Sequence, residues 1–529
     1  MFTGCGSDNG SSSAKSASAA SAASAANDTV DEDGKVNGIM YQEGLPLVDE
    51  GDYTFSIFCD DSSESGEFIM LDEFKKQTNV DVDLKIYPYE TATERLNLDL
   101  NSGDYADVIG GWTLSDNAIL TYGVNQGVFI PLEDYFEKYC PNISAILDLP
   151  GVREKMTAPD GHIYTIPYVC ADSTVGYSPY INTKWLENVG MSMPTTTDEF
   201  EAVLKAFKEQ DANGNGDASD EIPFSTDPNN KHIEAMAGYF GLPMNKLGIA
   251  IQNEKVVYGG VSDTYREFLS WFHKLYAEGL VDVELYTQDS STWEGKGNQD
   301  LYGVSIAYGS GEFTGIPAAE ERGDFDSMPV LNTDKDGIWL RDTEGFSVYR
   351  TQAVITNKAE HPEIICRWFD NAFALENGIG CNRGPVGVIV NKEDDGYHAI
   401  DTTTLSEEDQ EKYSWGNLWP QSLPKYLPAD FEFVEEHPMY DEKKATEEAY
   451  EANLTKEIIP SYWIDLDKID TFSDTNTAIK DFFEQQQAQF VCGELDIDND
   501  ADWQAYVDGM YSLGLEDWVA TQGIEEIAK

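Results

Sequence analysis

One polar loop, residues 211–222, carries oxygen-bearing side chains at the alternating spacing of a calcium-binding loop. A glycine, Gly216, falls where an EF-hand loop turns sharply. The twelfth position, which an EF-hand reserves for a bidentate Glu, holds Ile222 instead, and the nearest acids come directly before it. The predicted Ca2+ ligands are Asp211, Asn213, Asn215, Asp217, Asp220 and Glu221.

The segments on either side of this loop should hold it in place. Before it, Thr196 and Glu199 have the spacing of a capping box, and apolar residues follow at helical intervals. After it, Pro223 disfavours the second helix of an EF-hand. We therefore predict a structural calcium ion, not a calcium sensor. The alternative is a polar turn without metal, because Asp, Asn and Gly are common turn residues.

The composition excludes several classes of partner. The chain has 529 residues and a net charge of −63, from 34 basic and 97 acidic residues. Nucleic-acid binding and adhesion to anionic lipid both need basic patches, so neither is expected. The hydrophobic share of 41% is that of a globular protein. No apolar run reaches the roughly 18 residues of a membrane-spanning helix.

The sequence contains none of the common catalytic motifs. The P-loop, G-x-G-x-x-G, H-E-x-x-H and G-x-S-x-G patterns are absent, and six histidines offer little material for a general base or a metal cluster. We therefore predict that the chain is not an enzyme. A secreted glycan-active enzyme remains an alternative, because a glycosidase needs only two carboxylates at a suitable separation.

The cysteines fall into two groups. Cys5 follows small residues in a pattern that resembles the end of a bacterial lipoprotein signal, and it is the predicted lipidation site. The charged and apolar regions of a complete signal peptide do not precede it. The Ser/Ala-rich stretch after it has too little apolar surface to fold and is predicted to be a tether. The other six cysteines show no C-x-x-C spacing, and we expect buried free thiols.

From about residue 51 the pattern is that of an α/β fold. Residues 53–57 and 80–86 alternate as half-buried strands, and a helical pattern lies between them. A strand, helix, strand order implies a mainly parallel sheet. Residues 106–110 predict a further strand, which ends just before Trp112.

Short sequence blocks recur in a defined order along the chain. They are SGDYAD (102–107), PLEDY (131–135), DGHIY (160–164), WLENVG (185–190), LYAEGL (275–280), AVITNK (353–358) and FVCGE (490–494). Together with the helix, loop and strand entry within residues 181–225, they closely resemble the extracellular solute-binding proteins of family 1, in the long lipoprotein branch of Gram-positive bacteria. The resemblance covers about residues 50–529.

The resemblance implies a two-lobed α/β fold of the periplasmic-binding-protein type, with a hinge of crossing strands and a ligand cleft between the lobes. It predicts an anchor and tether in residues 1–48, an N-terminal lobe from residues 49–168 plus about 350–400, and a C-terminal lobe from residues 169–349 plus about 401–529. The expected crossings lie near residues 167–172, near 345–351, and between 384 and 430. A ligand that touches both lobes would favour the closed state.

The resemblance also implies a function. It predicts the substrate-binding component of an ABC importer, which captures an oligosaccharide and delivers it to a membrane permease. The protein would act as a monomer, lipid-anchored on the extracellular face of the cell membrane. A peptide or another solute is the alternative ligand for the same fold.

Candidate ligand contacts follow from the chemistry of sugars, which present flat C–H faces and rings of hydroxyl groups. Exposed aromatic planes and paired polar groups suit such a ligand. We take aromatics at strand ends and in loops as candidates and leave out those on helical stripes. The predicted contacts are Trp112, Tyr168, Tyr177, Trp293, Tyr308, Trp339, Trp415, Trp419, Asp60, Asp61, Asp172, Arg341 and Arg383.

Overall fold

A computed structural model describes most of the chain. The described residues are 28–61, 67–227, 233–315, 323–428, 431, 433–434 and 438–528. The predicted lipidation site Cys5 and most of the predicted tether lie outside the described residues. Among the helices of the described part, none has the length and apolar character needed to cross a membrane.

The described residues contain both strands and helices from one end to the other. The strands are β1 Lys35–Val36, β2 Met40–Tyr41, β3 Tyr53–Asp60, β4 Val80–Tyr87, β5 Val108–Gly110, β6 Thr165–Ala171, β7 Ser178–Asn182, β8 Ile222–Thr226, β9 Ile249–Gln252, β10 Lys255–Tyr258, β11 Tyr302–Ala307, β12 Phe325–Ser327, β13 Trp339–Arg341, β14 Phe346–Ile355, β15 Val390–Glu393, β16 Gly396–Ala399, β17 Leu454–Ile458 and β18 Glu526–Ile527. The α-helices are Ile69–Thr78, Tyr89–Ser102, Asp116–Ala118, Glu133–Tyr139, Pro141–Leu147, Val152–Met156, Thr183–Val189, Thr197–Glu209, Asp263–Ala277, Ser290–Asn298, Gly311–Thr314, Pro362–Ala372, Leu375–Arg383, Glu407–Lys412, Pro438–Tyr450, Ile469–Cys492, Asp500–Ser512 and Leu515–Thr521. Shorter 3-10 and π-helical turns are Ile119–Asn125, Ile233–Phe240, Thr402–Thr404, Trp415–Asn417, Glu451–Asn453 and Leu466–Lys468.

Two principal sheets organise the fold. The first has five strands in the order β4-β3-β5-β14-β6, in which β3 runs parallel to β4 and β5 while β14 runs antiparallel to β5 and β6. The second has four strands in the order β12-β7-β11-β8, with β11 parallel to β8 and antiparallel to β7. The parallel pairs require helical crossovers, which cover the faces of the sheets and make both lobes α/β layers.

The hydrophobic core is divided in the same way as the sheets. One large cluster surrounds the first sheet and includes Phe55, Trp368 and Trp419. Another surrounds the second sheet and includes Trp185 and Phe268. Since burial of one large apolar side chain stabilises a fold by roughly 1.5–3 kcal/mol, each cluster supports a lobe of its own.

Two of the predicted domain boundaries differ from the positions that the packing of the core shows. The tether was expected to reach residue 48, but Val36, Met40 and Val48 are fully buried in the first core, so the fold begins earlier. The segment after residue 400 was expected in the C-terminal lobe, yet Trp419 and Leu423 pack in the first core. Sequence patterns missed both because these segments are short and irregular, and their burial depends on partners far along the chain.

The lobes meet where the paired strands β6 and β14 pass between them. Phe346 pairs with Ala171, and the Asp172 N–H donates to the Gly345 carbonyl at 3.1 Å. Val169 also forms a bridge with Tyr426, just before the third connection. The paired strands β6 and β14 therefore join the lobes side by side, which is the arrangement of a hinge.

The helix Thr197–Glu209 forms as its capping pattern predicts. The Thr196 side chain accepts from the Glu199 N–H at 3.2 Å, and the Glu199 carboxylate accepts from the Thr195 N–H at 2.9 Å. These bonds to backbone N–H groups lower the pKa of Glu199. The apolar stripe of the helix, which includes Phe200 and Phe207, is buried in the second core, so the helix holds the loop that follows it against that lobe.

Candidate ligand cleft

A buried carboxylate fixes the turn that presents Trp112. Asp60, at the end of β3, accepts hydrogen bonds from the Trp112 N–H at 3.0 Å and the Thr113 N–H at 2.6 Å, and also from the Thr113 hydroxyl. Gly111 has φ of +131°, and a Cβ on it would lie 2.3 Å from the Asp60 carboxylate, so only glycine fits there. The turn thus places the Trp112 ring, which is 44% exposed, at the edge of the first sheet.

Three rings at the hinge form the feature that we call the aromatic corner: Trp112, Tyr168 and Tyr349. Tyr168 and Tyr349, from the paired strands β6 and β14, stack with ring centres 5.5 Å apart. Trp112 meets them edge-on, with its centre 5.3 Å from Tyr349 and 6.5 Å from Tyr168. Both arrangements are favourable for aromatic pairs, so the corner is a rigid surface with one exposed indole.

The aromatic corner continues along the first lobe to a second exposed indole. The Lys425 ammonium lies 5.3 Å from the centre of the Tyr168 ring and 5.6 Å from that of Trp415. Trp415 is 50% exposed. The wall of the first lobe therefore presents two accessible tryptophans, Trp112 and Trp415, linked through a tyrosine and a buried lysine.

The second lobe supplies the facing aromatic wall. Tyr308 follows β11, and its ring lies 6.2 Å from that of Tyr177 in an edge-on arrangement. The Lys443 ammonium sits 3.9 Å from the Tyr308 ring centre and donates to the carbonyl groups of Tyr308 and Gly176. The helix Pro438–Tyr450, which carries Lys443, thereby holds this wall in position.

Asp172 connects the two walls. Its carboxylate accepts from the Tyr349 hydroxyl at 2.7 Å and from the Tyr308 hydroxyl at 3.1 Å. Tyr349 belongs to the aromatic corner, whereas Tyr308 belongs to the second lobe. Because Asp172 directly follows the crossing strand β6, these bonds lie at the base of a cleft between the lobes.

The second wall also contains ionisable groups with shifted pKa values. Burial raises the pKa of Glu312 to about 7 and that of Asp342 to about 6. Burial lowers the pKa of Lys443 to about 8, against the opposing effect of Asp342 and Glu312 nearby. These groups lie beside the hinge and the Tyr308 wall, so the charge of this wall changes across the neutral pH range.

The structure brings together some of the sequence-predicted contacts and separates others. Neighbouring contacts connect six of them, which lie together at the candidate cleft: Trp112, Tyr168, Tyr177, Tyr308, Trp415 and Asp172. Asp60 and Asp61 are almost fully buried, and act from behind the surface. Asp60 holds the Trp112 turn, and Asp61 accepts from the Gln421 N–H at 2.7 Å.

Three predicted tryptophans are core residues in the structure, and this corrects the sequence-based choice. Trp293 is 3% exposed and donates to the Ser305 hydroxyl, Trp339 is 1% exposed, and Trp419 is fully buried. Trp339 begins β13 and Trp419 lies in a loop, whereas Trp293 lies within the helix Ser290–Asn298, so the sequence pattern also misjudged its secondary structure. Packing partners far along the chain cover the rings, so none offers a face to a solute.

The two predicted arginines make contacts within the protein. Arg341 donates to the Thr455 carbonyl at 3.1 Å and to the Glu451 carboxylate at 3.2 Å, which ties β13 to the segment around β17. Arg383 ends a helix of the first lobe and donates to the Asn382 carbonyl at 3.1 Å.

Sequence reasoning missed three residues of the walls: Tyr349, Lys425 and Lys443. Tyr349 lies within the predicted crossing at residues 345–351, so a search of that strand for aromatics would have found it. The lysines carried no comparable signal, because a lysine is normally a surface residue and its burial depends on tertiary packing.

The calcium-like loop leaves two buried carboxylate oxygens without hydrogen-bond donors. Asp211 Oδ2 accepts from the Gly216 N–H at 3.0 Å, and Glu221 Oε1 accepts from the Ala212 N–H at 2.9 Å. The second oxygens, Asp211 Oδ1 and Glu221 Oε2, are buried and have no donor. Burial also raises the pKa of Glu221. Buried oxygens of this kind suit a hard cation, so the residues present fit Ca2+.

The other predicted ligands of the loop are turned toward one another. The amide groups of Asn213 and Asn215 donate to the Asp220 carboxylate at 3.3 and 2.8 Å. Asp217 accepts from the Ser219 hydroxyl at 2.6 Å, which lowers the pKa of Asp217. The Glu221 carboxylate turns back into the loop, where it accepts from the Ala212 N–H, while the twelfth position holds Ile222.

The chain has two α/β lobes that are joined by crossing strands and meet at the candidate aromatic cleft. This arrangement is that of a binding protein that holds a solute between its lobes. The sequence profile of the bacterial extracellular solute-binding proteins matches residues 61–378. This chain belongs to that family, as the sequence resemblance predicted.

Two curated relatives share part of their length with this chain. It is 33% identical over 335 residues to the fructooligosaccharide ABC transporter substrate-binding protein FusA of Streptococcus pneumoniae serotype 4, a match that covers 61% of each sequence. It is 28% identical over 280 residues to the lipoprotein LipO of Bacillus subtilis, covering 51% of this chain and 52% of LipO. The chain thus spans less than two thirds of the length of these relatives.

Solved structures match over a larger share. Streptococcus pneumoniae FusA in complex with kestose has a TM-score of 0.78 and 26% identity, and the match covers 89% of this chain and 98% of that one. The alginate-binding protein AlgQ2 without calcium ion has a TM-score of 0.73 and 22% identity, covering 91% of this chain and 99% of the other. The likeness to AlgQ2 shows the fold alone, and both matches confirm the predicted two-lobed class.

Proposed function

We propose that this protein is the substrate-binding component of an ABC importer and captures an oligosaccharide between its lobes. The aromatic corner is the observation that carries this proposal. It presents an exposed Trp112 ring, held rigidly, opposite the Tyr308 wall. A sugar that stacks on Trp112 and reaches the facing wall would contact both lobes and stabilise the closed state.

The relatives support the same function. FusA is by name a fructooligosaccharide ABC transporter substrate-binding protein, and its solved structure contains kestose. We extend from this that the present chain delivers its ligand to a membrane permease, acts as a monomer, and is anchored through Cys5 to the extracellular face of the membrane. Binding without turnover is part of the proposal. A glycan-active enzyme would release reducing ends from the bound sugar.

A panel of ligands tests the proposed class. We expect neutral oligosaccharides such as kestose to raise the melting temperature and to change tryptophan fluorescence, since Trp112 and Trp415 are exposed and belong to the proposed binding surface. At 100 times its dissociation constant, a ligand should add about 2.7 kcal/mol to the free energy of unfolding. Stabilisation by short peptides, with no response to any sugar, would favour the alternative ligand class. Product formation during incubation would contradict a binding role.

We also propose that the 211–222 loop binds a structural Ca2+. Asp211 and Glu221 would supply the principal carboxylate oxygens, in keeping with their buried oxygens that lack donors. An EF-hand mutant of FusA among the similar solved structures supports this assignment. The loop follows the helix Thr197–Glu209, so the ion would stabilise the second lobe, away from the cleft.

Chelation measures the contribution of this ion. We expect EDTA to lower the melting temperature by about 5 °C, because removal of a saturating ligand costs about 2–3 kcal/mol of unfolding free energy. Asp211→Asn should melt at the chelated value with or without Ca2+. The control Asp334→Asn, an exposed acid in the loop before β13 of the same lobe, should respond to EDTA like the unchanged protein. An identical melting temperature for all samples in EDTA and in Ca2+ would refute the assignment.

A further inference from the structure

Lys425 is a buried cation beneath the surface of the cleft. It is 1% exposed, and its ammonium lies between the rings of Tyr168 and Trp415, at 5.3 and 5.6 Å from their centres. Its hydrogen bond goes to a neutral amide, Gln421 Oε1, at 2.7 Å. A buried ammonium is costly unless its surroundings stabilise it, and aromatic faces provide such stabilisation.

Gln421 connects this ammonium to the backbone of the Trp415 segment. The Gln421 amide donates to the carbonyl groups of Trp415 and Trp419, each at 2.9 Å. Trp419 is fully buried in the first core. The orientation of Gln421 is set from both sides, since its own N–H donates to the Asp61 carboxylate at 2.7 Å. The Lys425 ammonium therefore contacts the Trp415 ring directly. It is also connected to the Trp415 backbone carbonyl through the side chain of Gln421.

We propose that Lys425 is a positioning residue of the cleft: its positive charge holds Trp415 and Tyr168 in the orientation that receives the sugar. This inference rests on the proposed function. The residue does not need to touch the ligand, because it acts through the two rings. Neutralising the charge removes the attraction to both rings and weakens the bond to Gln421, so Trp415 gains freedom that a bound sugar must then restrict.

The surroundings of Lys425 make its charge sensitive to mildly alkaline pH. Burial lowers the pKa of Lys425 to about 8; Arg383 acts in the same direction, whereas Cys381, Cys170 and Asp61 oppose it. The thiols of Cys170 and Cys381 also face Lys425, but burial raises the pKa of Cys170 to about 12 and raises that of Cys381 as well. Both thiols therefore stay neutral while Lys425 titrates.

Sugar affinity should fall as the pH rises through about 8, the pKa of Lys425. Below pH 8 Lys425 is charged and holds the rings, whereas above pH 8 it becomes neutral and releases them. Tyr168 does not titrate in this range, because burial raises its pKa well above the usual value. Lys443 on the other wall also has a pKa of about 8, so the contribution of Lys425 is measured as a difference between variants.

Calorimetric titration with kestose at pH 6.5 to 9.5 tests the proposal. We expect Lys425→Met to bind about fivefold more weakly at pH 7, the size of a cation–π contribution, and to lose less affinity than the unchanged protein as the pH rises. Lys425→Arg should retain affinity at pH 9.5. Lys358→Met is the matched control: it removes an exposed lysine that lies 5.4 Å from the Tyr105 ring centre and follows the far end of β14. Its pH profile should match that of the unchanged protein.

Stability separates positioning from a merely structural role. Replacing a buried charge by an apolar side chain of similar length is often neutral or stabilising, so the melting temperature of Lys425→Met should stay the same or rise. Weaker binding together with an unchanged or higher melting temperature is the expected pair of results. Unchanged affinity in Lys425→Met, or weaker binding with an equally large loss of stability, would overturn the proposal.

A sugar-free measurement keeps the test independent of the proposed function. The fluorescence difference between the unchanged protein and Trp415→Phe reports on Trp415 alone. We expect this difference to change with a midpoint near pH 8, and to be constant when the same comparison is made in the Lys425→Met background. A flat difference in both backgrounds contradicts the positioning role. Failure of every sugar to bind, with the pH transition present, would instead reject the proposed function and leave the effect of Lys425 on Trp415 established.

Discussion

Trp112→Ala is expected to weaken oligosaccharide binding by about 30-fold or more, with little change in stability. The ring is 44% exposed and belongs to the aromatic corner, so its removal takes away a stacking surface but leaves the core intact. Central aromatic residues at binding surfaces commonly contribute 2 kcal/mol or more, which corresponds to this loss of affinity. Calorimetric titration with kestose measures the change.

The comparison with another exposed aromatic residue makes this result specific. Tyr511 is 42% exposed and lies on the helix Asp500–Ser512 of the second lobe, so Tyr511→Ala should bind the sugar normally. Trp112→Phe keeps an aromatic face and should recover most of the affinity. Normal binding by Trp112→Ala would show that the ligand does not use the aromatic corner.

Asp60→Ala is expected to lower the free energy of unfolding by about 3 kcal/mol and also to weaken sugar binding. Its buried carboxylate receives the N–H groups of Trp112 and Thr113 and the Thr113 hydroxyl. Removing it leaves three part-buried donors without their acceptor, and an unsatisfied donor of this kind costs about 1 kcal/mol or more. Because the same bonds orient the Trp112 turn, the stability loss and the affinity loss have one cause. Urea denaturation and calorimetric titration measure them separately.

Two further variants isolate the role of this carboxylate. Asp52→Ala changes an exposed acid that precedes the other end of β3 and should alter neither stability nor affinity. Asp60→Asn keeps one acceptor oxygen, so its losses should be intermediate. If Asp60→Ala loses stability but binds kestose with unchanged affinity, the turn does not set the position of the Trp112 ring.

The pH-dependent groups of the two walls have different consequences. Lys425 lies in the first lobe and affects aromatic rings, whereas Glu312 and Asp342 in the second lobe titrate at about pH 7 and 6. Burial raises the pKa of both carboxyl groups. These groups therefore disfavour the folded state increasingly as the pH rises from the pKa in the unfolded chain towards the raised pKa of the folded protein. Ionisation of Glu312 and of Asp342 is thus costly, and their burial favours the neutral forms of these two carboxyl groups.

Features of the candidate site that depend on neighbouring residues were predicted from the sequence, whereas features that depend on contacts between distant residues were not. The capped helix Thr197–Glu209 and the strand that ends before Trp112 depend on neighbouring residues, and both were predicted. The buried positions of Trp293, Trp339 and Trp419 were not, because the local sequence around a tryptophan is the same whether its ring faces a groove or a core. Polar and aromatic residues at strand ends indicated the correct edge of the sheet but not which of them remain accessible.

The sequence by itself determined the family, the α/β class, the calcium-like loop and the exposed tryptophan after β5, since these depend on short-range spacing and on blocks in order. Tertiary structure alone decided which residues lie together at the candidate cleft. The bond between Asp172 and the Tyr349 hydroxyl joins residues 177 positions apart, and Lys425 becomes a cleft residue only when β6 lies beside the segment near Tyr426. Such contacts form between distant segments once their cores are packed, so no local pattern encodes them.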